Sequence, residues 1–205
     1  MHLRINEVTV SPSRIDELGD VLSNKALPVV REQAGSQGLL CAANRETGEC
    51  NIVSFWDTKQ SLEASEKAIA SIRSATVDAV DAKLNRISVD EVLREVRARP
   101  SQVGSRARVV RLVAPAGSSA KVLEFYDNEA VPRLEAQPGF LNARLIRETA
   151  EDGRFAAVSH WADAASAESS EKNSVALREQ VANAIAGTSV ESAAVFEIIL
   201  IELTN

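Results

Sequence analysis

Residues Leu3 to Val10 are mostly β-branched or apolar and stop at Ser11-Pro12, which predicts a β-strand. The period then changes. Ile15, Leu18 and Leu22 follow at helical spacing behind Ser13, the expected N-cap, and Pro28 should kink this helix or open a second one. Gln33 to Gly38 reads as a turn. Two apolar runs, Leu39 to Ala43 and Cys50 to Trp56, flank the tight turn Arg45 to Gly48 and predict a β-hairpin. From about Thr58 the apolar stripe Leu62, Ile69, Ile72, Ala79 again has helical spacing, with Ser65 and Thr76 on the same face. Val89 to Val96 is a fourth expected strand, and Arg97 to Arg108, with Pro100 and Gly104, reads as a linker.

The same order then returns. Arg108 to Val113 predicts a strand, Ser119 can cap a helix carrying Val122, Phe125 and Leu134, and Gln137-Pro138-Gly139 is a turn. Leu141 to Arg147 and Phe155 to Trp161 form a hairpin around Glu151-Asp152-Gly153. A second amphipathic helix runs from about Asp163 to Ile185. The last strand, Ala194 to Leu203, is apolar nearly throughout, as a strand buried on both faces would be.

Particular residues mark a tandem duplication. Ser54-Phe55-Trp56 with Ser65-Glu66-Lys67 matches Ser159-His160-Trp161 with Ser170-Glu171-Lys172, and the two Trp are the only ones in the chain. Pro28, Gln33 and Gly35 recur with the same spacing as Pro132, Gln137 and Gly139. Each copy is therefore β-α-β-β-α-β, the ferredoxin-like order of an α+β protein. The expected division is residues 1–97, a linker at 98–106, and residues 107–205. A ferredoxin-like sheet has one face covered by its own helices, so the two sheets are expected to pack face to face as an intramolecular α+β barrel.

Bulk composition narrows the function. A net charge of −6 argues against a nucleic-acid backbone as partner. No apolar run is long enough to cross a bilayer. Met1-His2-Leu3-Arg4 leads straight into a strand, so no signal peptide is expected and the chain is read as cytoplasmic. Two cysteines, Cys41 and Cys50, are too few for a secreted scaffold and are read as reduced strand residues. The sequence carries no metal-ligand cluster, Gly-rich nucleotide loop or cysteine nucleophile pattern, and no cofactor or metal is expected.

With Pro138-Gly139-Phe140 before the hairpin and a Trp closing the third strand ahead of an acidic helix, each unit resembles the antibiotic biosynthesis monooxygenase (ABM) domain of the dimeric α+β-barrel superfamily. The resemblance covers nearly the whole chain, twice. Single-domain members of that family usually dimerise through their sheets, so it implies a fused pseudo-dimer here. A further homodimer is left open. The family includes cofactor-free monooxygenases of aromatic polyketides, haem-degrading enzymes and proteins without an assigned reaction.

The resemblance to the cofactor-free branch rests on Trp56, Trp161 and a helix arginine matching Arg178, and less closely Arg73. The Asn and Tyr of that branch are replaced by Ile52 and Leu62 in the first copy and by Ala157 and Ala167 in the second. Of the haem-degrading branch's residues, only Asn6 has a match; Ser65 and Ala75 stand where its Trp and His would be.

The two copies also differ where a ligand would sit. Ile52, Leu62 and Ile69 of the first copy become Ala157, Ala167 and Ser174. Such truncations leave space worth about 2–5 kcal/mol each unless it is filled. Phe140 and Phe155 stand where the first copy has Ser36 and Cys50, and either repack that space or leave a pocket. In the pocket reading, Trp161 is a flat wall, Ser159, Ser170 and Ser174 offer hydroxyls, and Arg178 stabilises an enolate or phenolate. Trp56, Ser65 and Arg73 are the corresponding first-copy positions. His160 points away from Trp161, since strand side chains alternate, and is a candidate general base or a structural residue. Tyr126 is either a packing residue or a pocket hydroxyl. The functions these residues support are a cofactor-independent monooxygenase, or related enolate chemistry, on a small aromatic or polyketide-like molecule, and a non-catalytic small-molecule-binding or structural protein.

Overall fold

The computed structural model of the chain describes residues 1–204. It is α+β and its described residues fall into two compact units, residues 1–90 with 196–204 and residues 91–195. Each unit is a ferredoxin-like antiparallel sheet with helices packed on one face.

In the first unit, β1 (His2–Thr9) pairs with β3 (Glu49–Trp56), and β3 pairs with β2 (Ser36–Ala43). Between β1 and β2 the chain makes a 3-10 turn at Pro12–Arg14, α1 (Ile15–Val21), a π-helical turn at Leu22–Ala26, and α2 (Leu27–Arg31). Ser13 is not the N-cap. Pro12 opens the 3-10 turn, the Ser13 hydroxyl meets that of Ser11, and α1 begins two residues later. The break expected at Pro28 lies one turn earlier, in the π-helical turn, because Pro28 occupies a first-turn position of α2 where its missing N–H costs nothing. After β3 come α3 (Lys59–Ala64) and α4 (Glu66–Ala79), interrupted at Ser65. Thr58 caps α3 by accepting from the Ser61 N–H at 3.1 Å. The apolar stripe of α3 and α4 points into the core: Leu62, Ser65, Ile69 and Thr76 are buried beside Trp56, Leu22 and Leu39.

The second unit repeats this with β5 (Arg106–Val113), α5 (Ser119–Phe125), a π-helical turn at Tyr126–Ala130, α6 (Val131–Glu135), β6 (Phe140–Glu148), β7 (Arg154–Trp161), α7 (Ala164–Ser169) and α8 (Glu171–Ala184). β7 lies between β5 and β6. Gly139 has φ +80°, and a Cβ there would collide with the Ser166 side chain. The turn before β6 must be glycine for α7 to approach it.

Two strands are longer than expected. β4 (Lys83–Arg97) and β8 (Ser189–Leu203) have 15 residues each, and the division into units falls within both. In β4, Asn85 donates to Thr9 at 2.8 Å in the first unit, whereas Leu93 and Val96 pack on the core of the second. In β8, the end of the strand pairs with β2, from Ala43–Glu197 to Gly38–Leu203, and brings Ile199 and Leu200 to the first core. The compact units therefore differ from the sequential boundaries 1–97 and 107–205. Each takes in strand residues that the other repeat supplies in sequence. Of the apolar run in β8 only Phe196 and Ile198 are buried, and Val195 is exposed, so the strand is not buried on both faces as its sequence suggested.

Cys41 and Cys50 are free and buried in the first core. No helix among the described residues is long and apolar enough to cross a membrane.

Candidate functional site

A cavity of about 80 Å³ lies between sheet and helices of the second unit. Its floor is Val110 and Leu112 of β5, Leu145 of β6, and Ala157 and Ser159 of β7. Its roof is Tyr126 at the π-helical turn and Ser174, Leu177 and Arg178 of α8. The corresponding cavity of the first unit, lined by Asn6, Leu22, Ile52, Ile69 and Arg73 among others, is about 40 Å³. The substitutions account for the direction of the difference. Ile52 faces one cavity and Ala157 the other, and Ile69 is matched by Ser174. The larger space is nevertheless well below the roughly 300 Å³ of ordinary drug-sized sites, which limits an occupant to about one ring unless the walls move.

Five of the polar residues singled out in the sequence meet at this cavity: Tyr126, Ser159, Ser170, Ser174 and Arg178. Others lie elsewhere. Trp161 is fully buried behind the wall, where its indole N–H donates to Ser159 at 3.0 Å and its ring meets Phe140 edge-on at 5.8 Å. Phe140 and Phe155 belong to the same core but do not line the cavity, so neither plugs it. In the first unit, Trp56 donates to Ser54 at 3.0 Å and lies 5.8 Å from the Arg4 guanidinium. Ser65 accepts from Arg4 at 3.1 Å, and Arg73 reaches Asn6 at 3.3 Å and Glu66 at 2.8 Å.

His160 does not reach the cavity. It faces the other side of the sheet beside Asn142 and Arg144, and its Nδ1 is 2.9 Å from the Ser101 hydroxyl. Burial, and then the Arg144 charge, push its pKa down to about 3, so the ring is neutral near pH 7. Arg144 itself is held by Glu95 at 2.7 Å.

One residue of the site escaped the sequence reading. Arg108, on β5, is buried against the wall. It donates to Ser170 and, at 2.6 Å, to the Ala167 carbonyl, and pairs with Glu171 at 2.8 Å. Desolvation lowers its pKa and Glu171 opposes that shift. Arg4 does the same in the first unit with Ser65, Leu62 and Glu66. The recurrence of Arg at the same strand position of both repeats was the available signal. Tyr126, which the sequence left open between a packing residue and a pocket hydroxyl, lines the cavity, and its hydroxyl is buried with no hydrogen-bond partner among the described residues. Burial drives its pKa up, so it remains a protonated donor.

These partners change the inventory of free polar groups. Ser170 is used by Arg108 and by the Ala167 carbonyl, and Ser159 accepts from Trp161. Arg178 has one bond, to Glu171 at 2.6 Å. Its first-unit counterpart, Arg73, also binds Asn6, whose place is taken here by Val110. Thus Arg178, Ser174, Tyr126 and the O–H of Ser159 are left to face an occupant.

The profile of the family "Antibiotic biosynthesis monooxygenase" matches residues 106–180, the stretch that builds the cavity. The second repeat is thus similar to an ABM domain over most of its length. The first repeats its element order. Two uncharacterized proteins of Mycobacterium tuberculosis strain H37Rv are each 26% identical to this chain, over 148 and 120 residues. These matches cover 71% and 58% of the chain but only 61% and 53% of those proteins.

Among solved structures, a candidate monooxygenase from Fusobacterium nucleatum superposes with a TM-score of 0.70 at 14% identity, covering 98% of this chain and 94% of that one. An anthrone oxidase-like protein gives 0.64 at 13%, covering 96% and 91%. The heme-degrading enzyme LmHde of Listeria monocytogenes gives 0.53 at 12%, covering 96% and 99%. At such identities the likeness is one of fold.

Haem does not suit the cavity of the second unit. No imidazole lines it, the chain's histidines being His2 on β1 and His160 on the other face of β7, and the space is far too small for a porphyrin.

Proposed function

We propose that the second unit is a cofactor-independent monooxygenase domain whose substrate is a small aromatic or polyketide-like molecule held beside Ala157, Ser174 and Arg178. The observation that carries this reading is the asymmetry of the repeats. The cavity is enlarged in one unit, and in that unit alone the helix arginine has lost its strand partner, Asn6 having become Val110. The match of this repeat to the ABM family profile supports the reaction class.

The lining side chains include no carboxylate and no imidazole. No lining side chain is therefore suited to take a proton from the substrate, and the fitting substrates are those acidic enough to ionise near neutral pH. Arg178 would hold the resulting enolate or phenolate. The carbanion form gives electrons to O₂ and a C–O bond forms at that carbon. Loss of water from the peroxide leaves a carbonyl. One oxygen atom ends in the product and the other in water, so the substrate itself is the reductant.

The test is oxygen uptake on a panel of ionisable hydroxyaromatic compounds with a chelator present. Uptake of one O₂ per product, lost in Arg178→Ala, is expected. Compounds that bind without any uptake would contradict catalysis and leave the second reading, a small-molecule binder without turnover, which the missing base favours.

A further inference from the structure

One polar atom at the cavity has no use within the fold. The Tyr126 side chain is 4% exposed and lines the cavity, and its hydroxyl has no partner among the described residues. A buried hydroxyl left unpaired is costly, and native proteins rarely keep one without a reason. The first repeat provides an internal control. At the start of the same π-helical turn it has Leu22, buried to a similar extent and lining the smaller cavity. The fold is thus satisfied by an aliphatic residue at this position. π-Helical turns are also frequent where side chains serve a site. Ser170 donates to the Ala167 carbonyl and Ser159 accepts from Trp161, so of the buried hydroxyls at the cavity Tyr126 is the one with no partner at all among the described residues.

We propose that the Tyr126 hydroxyl donates a hydrogen bond to a carbonyl oxygen of a ring-sized ligand in this cavity, and thereby selects carbonyl-bearing rings over hydrocarbons of the same shape. The inference rests on the reading of the cavity as a small-molecule site and narrows its substrate class to aryl ketones and related ring carbonyls. The walls supply apolar contact from Val122, Leu134, Leu145 and Leu177. The phenol is protonated, so it discriminates as a donor. A site built around a buried donor rejects an analogue that lacks the acceptor, because the donor then stays unpaired.

The test compares acetophenone with α-methylstyrene, in which C=CH₂ replaces C=O. Both are titrated into the full chain, followed by amide shifts and by the ring signals of a labelled tyrosine. Tyr126 is the only tyrosine in the chain, so those signals need no assignment. Acetophenone is expected to bind the wild type about tenfold more tightly, a difference of the size of one neutral hydrogen bond, and to move the Tyr126, Ala157 and Ser174 signals. In Tyr126→Phe the two probes should bind alike. The wild-type comparison alone already decides the matter if that variant does not fold. Equal binding of both probes to the wild type overturns the inference while leaving the cavity as a site, as does a preference that survives in Tyr126→Phe. An ordered water is then the hydroxyl's partner. Binding of neither probe removes the small-molecule reading and this inference together.

Discussion

Tyr126 in the second repeat takes the place of Leu22 in the first, at the head of the same π-helical turn, and adds a hydroxyl that finds no partner among the described residues. If that group serves a ligand and not the fold, removing it helps the free protein. Tyr126→Phe should raise stability by about 1–3 kcal/mol in the absence of ligand, the desolvation penalty of an unpaired buried group. Equilibrium denaturation measures this, and a loss of stability would mean that the hydroxyl is satisfied. Phenolate absorbance gives a second reading. Because burial raises the pKa of the chain's one tyrosine, no phenolate should form at pH 10 until the protein unfolds.

The size difference between the cavities can be reversed. Ala157→Ile restores the residue of the first repeat at a wall position. It should keep the fold, since Ile52 occupies the equivalent site, and abolish binding of ring-sized probes. Thermal unfolding and probe titration together check it. Retained affinity would place the ligand elsewhere.

Arg108 is a support for the site. It ties β5 to the junction of α7 and α8 through Ser170, the Ala167 carbonyl and Glu171. Arg108→Ala leaves a buried carbonyl and hydroxyl without their charged donor and should cost about 2–4 kcal/mol. Most of that comes from the buried hydrogen bonds, since Glu171 is half exposed and its ion pair is screened. Arg178→Ala should behave in the opposite way. Its pair with the same Glu171 is near the surface and contributes about 0–1 kcal/mol, so Tm barely moves. The proposed oxygen uptake, by contrast, should fall by about a hundredfold or more.

His160 makes stability depend on pH. Its folded pKa is depressed to about 3, from 6.5. Between those values the unfolded chain binds the proton and the folded one does not. The contribution is therefore complete above about pH 6.5 and is lost as pH falls towards 3. Its slope reaches about 1.4 kcal/mol per pH unit. Denaturation at pH 6.5 and pH 5 should differ by about 2 kcal/mol more in the wild type than in His160→Gln. Equal slopes would show that the ring is not buried neutral.

Much of this architecture could be read from the chain because it rests on local periodicity. The doubled order of strands and helices, the hairpins, and the Thr58 and Asp163 helix starts all follow from spacing and cap chemistry. The meeting of Ser159, Ser170, Ser174 and Arg178 at one cavity follows from strand alternation and helical phase. What periodicity does not carry is the partner of a side chain. Trp161 has the phase of a pocket wall, yet its indole is turned back on Ser159 and packed against Phe140 at the end of the sheet. Arg108 has the charge of a surface residue and is buried because Ser170 and a helix carbonyl wait for it. The extent of β4 is hidden by its polar start, Lys83, Asn85 and Arg86, which is strand because of the neighbours it meets, Thr9 and Glu7.

The central claim is that the second repeat, and not the first, holds a small molecule between its sheet and helices. A crystal structure of the full chain soaked with acetophenone tests it most directly. Density for the ring beside Ala157, Ser174 and Tyr126, with none beside Ile52 and Ile69, is the expected result. An empty second cavity with the probe bound elsewhere, or equal occupancy of both cavities, would contradict it.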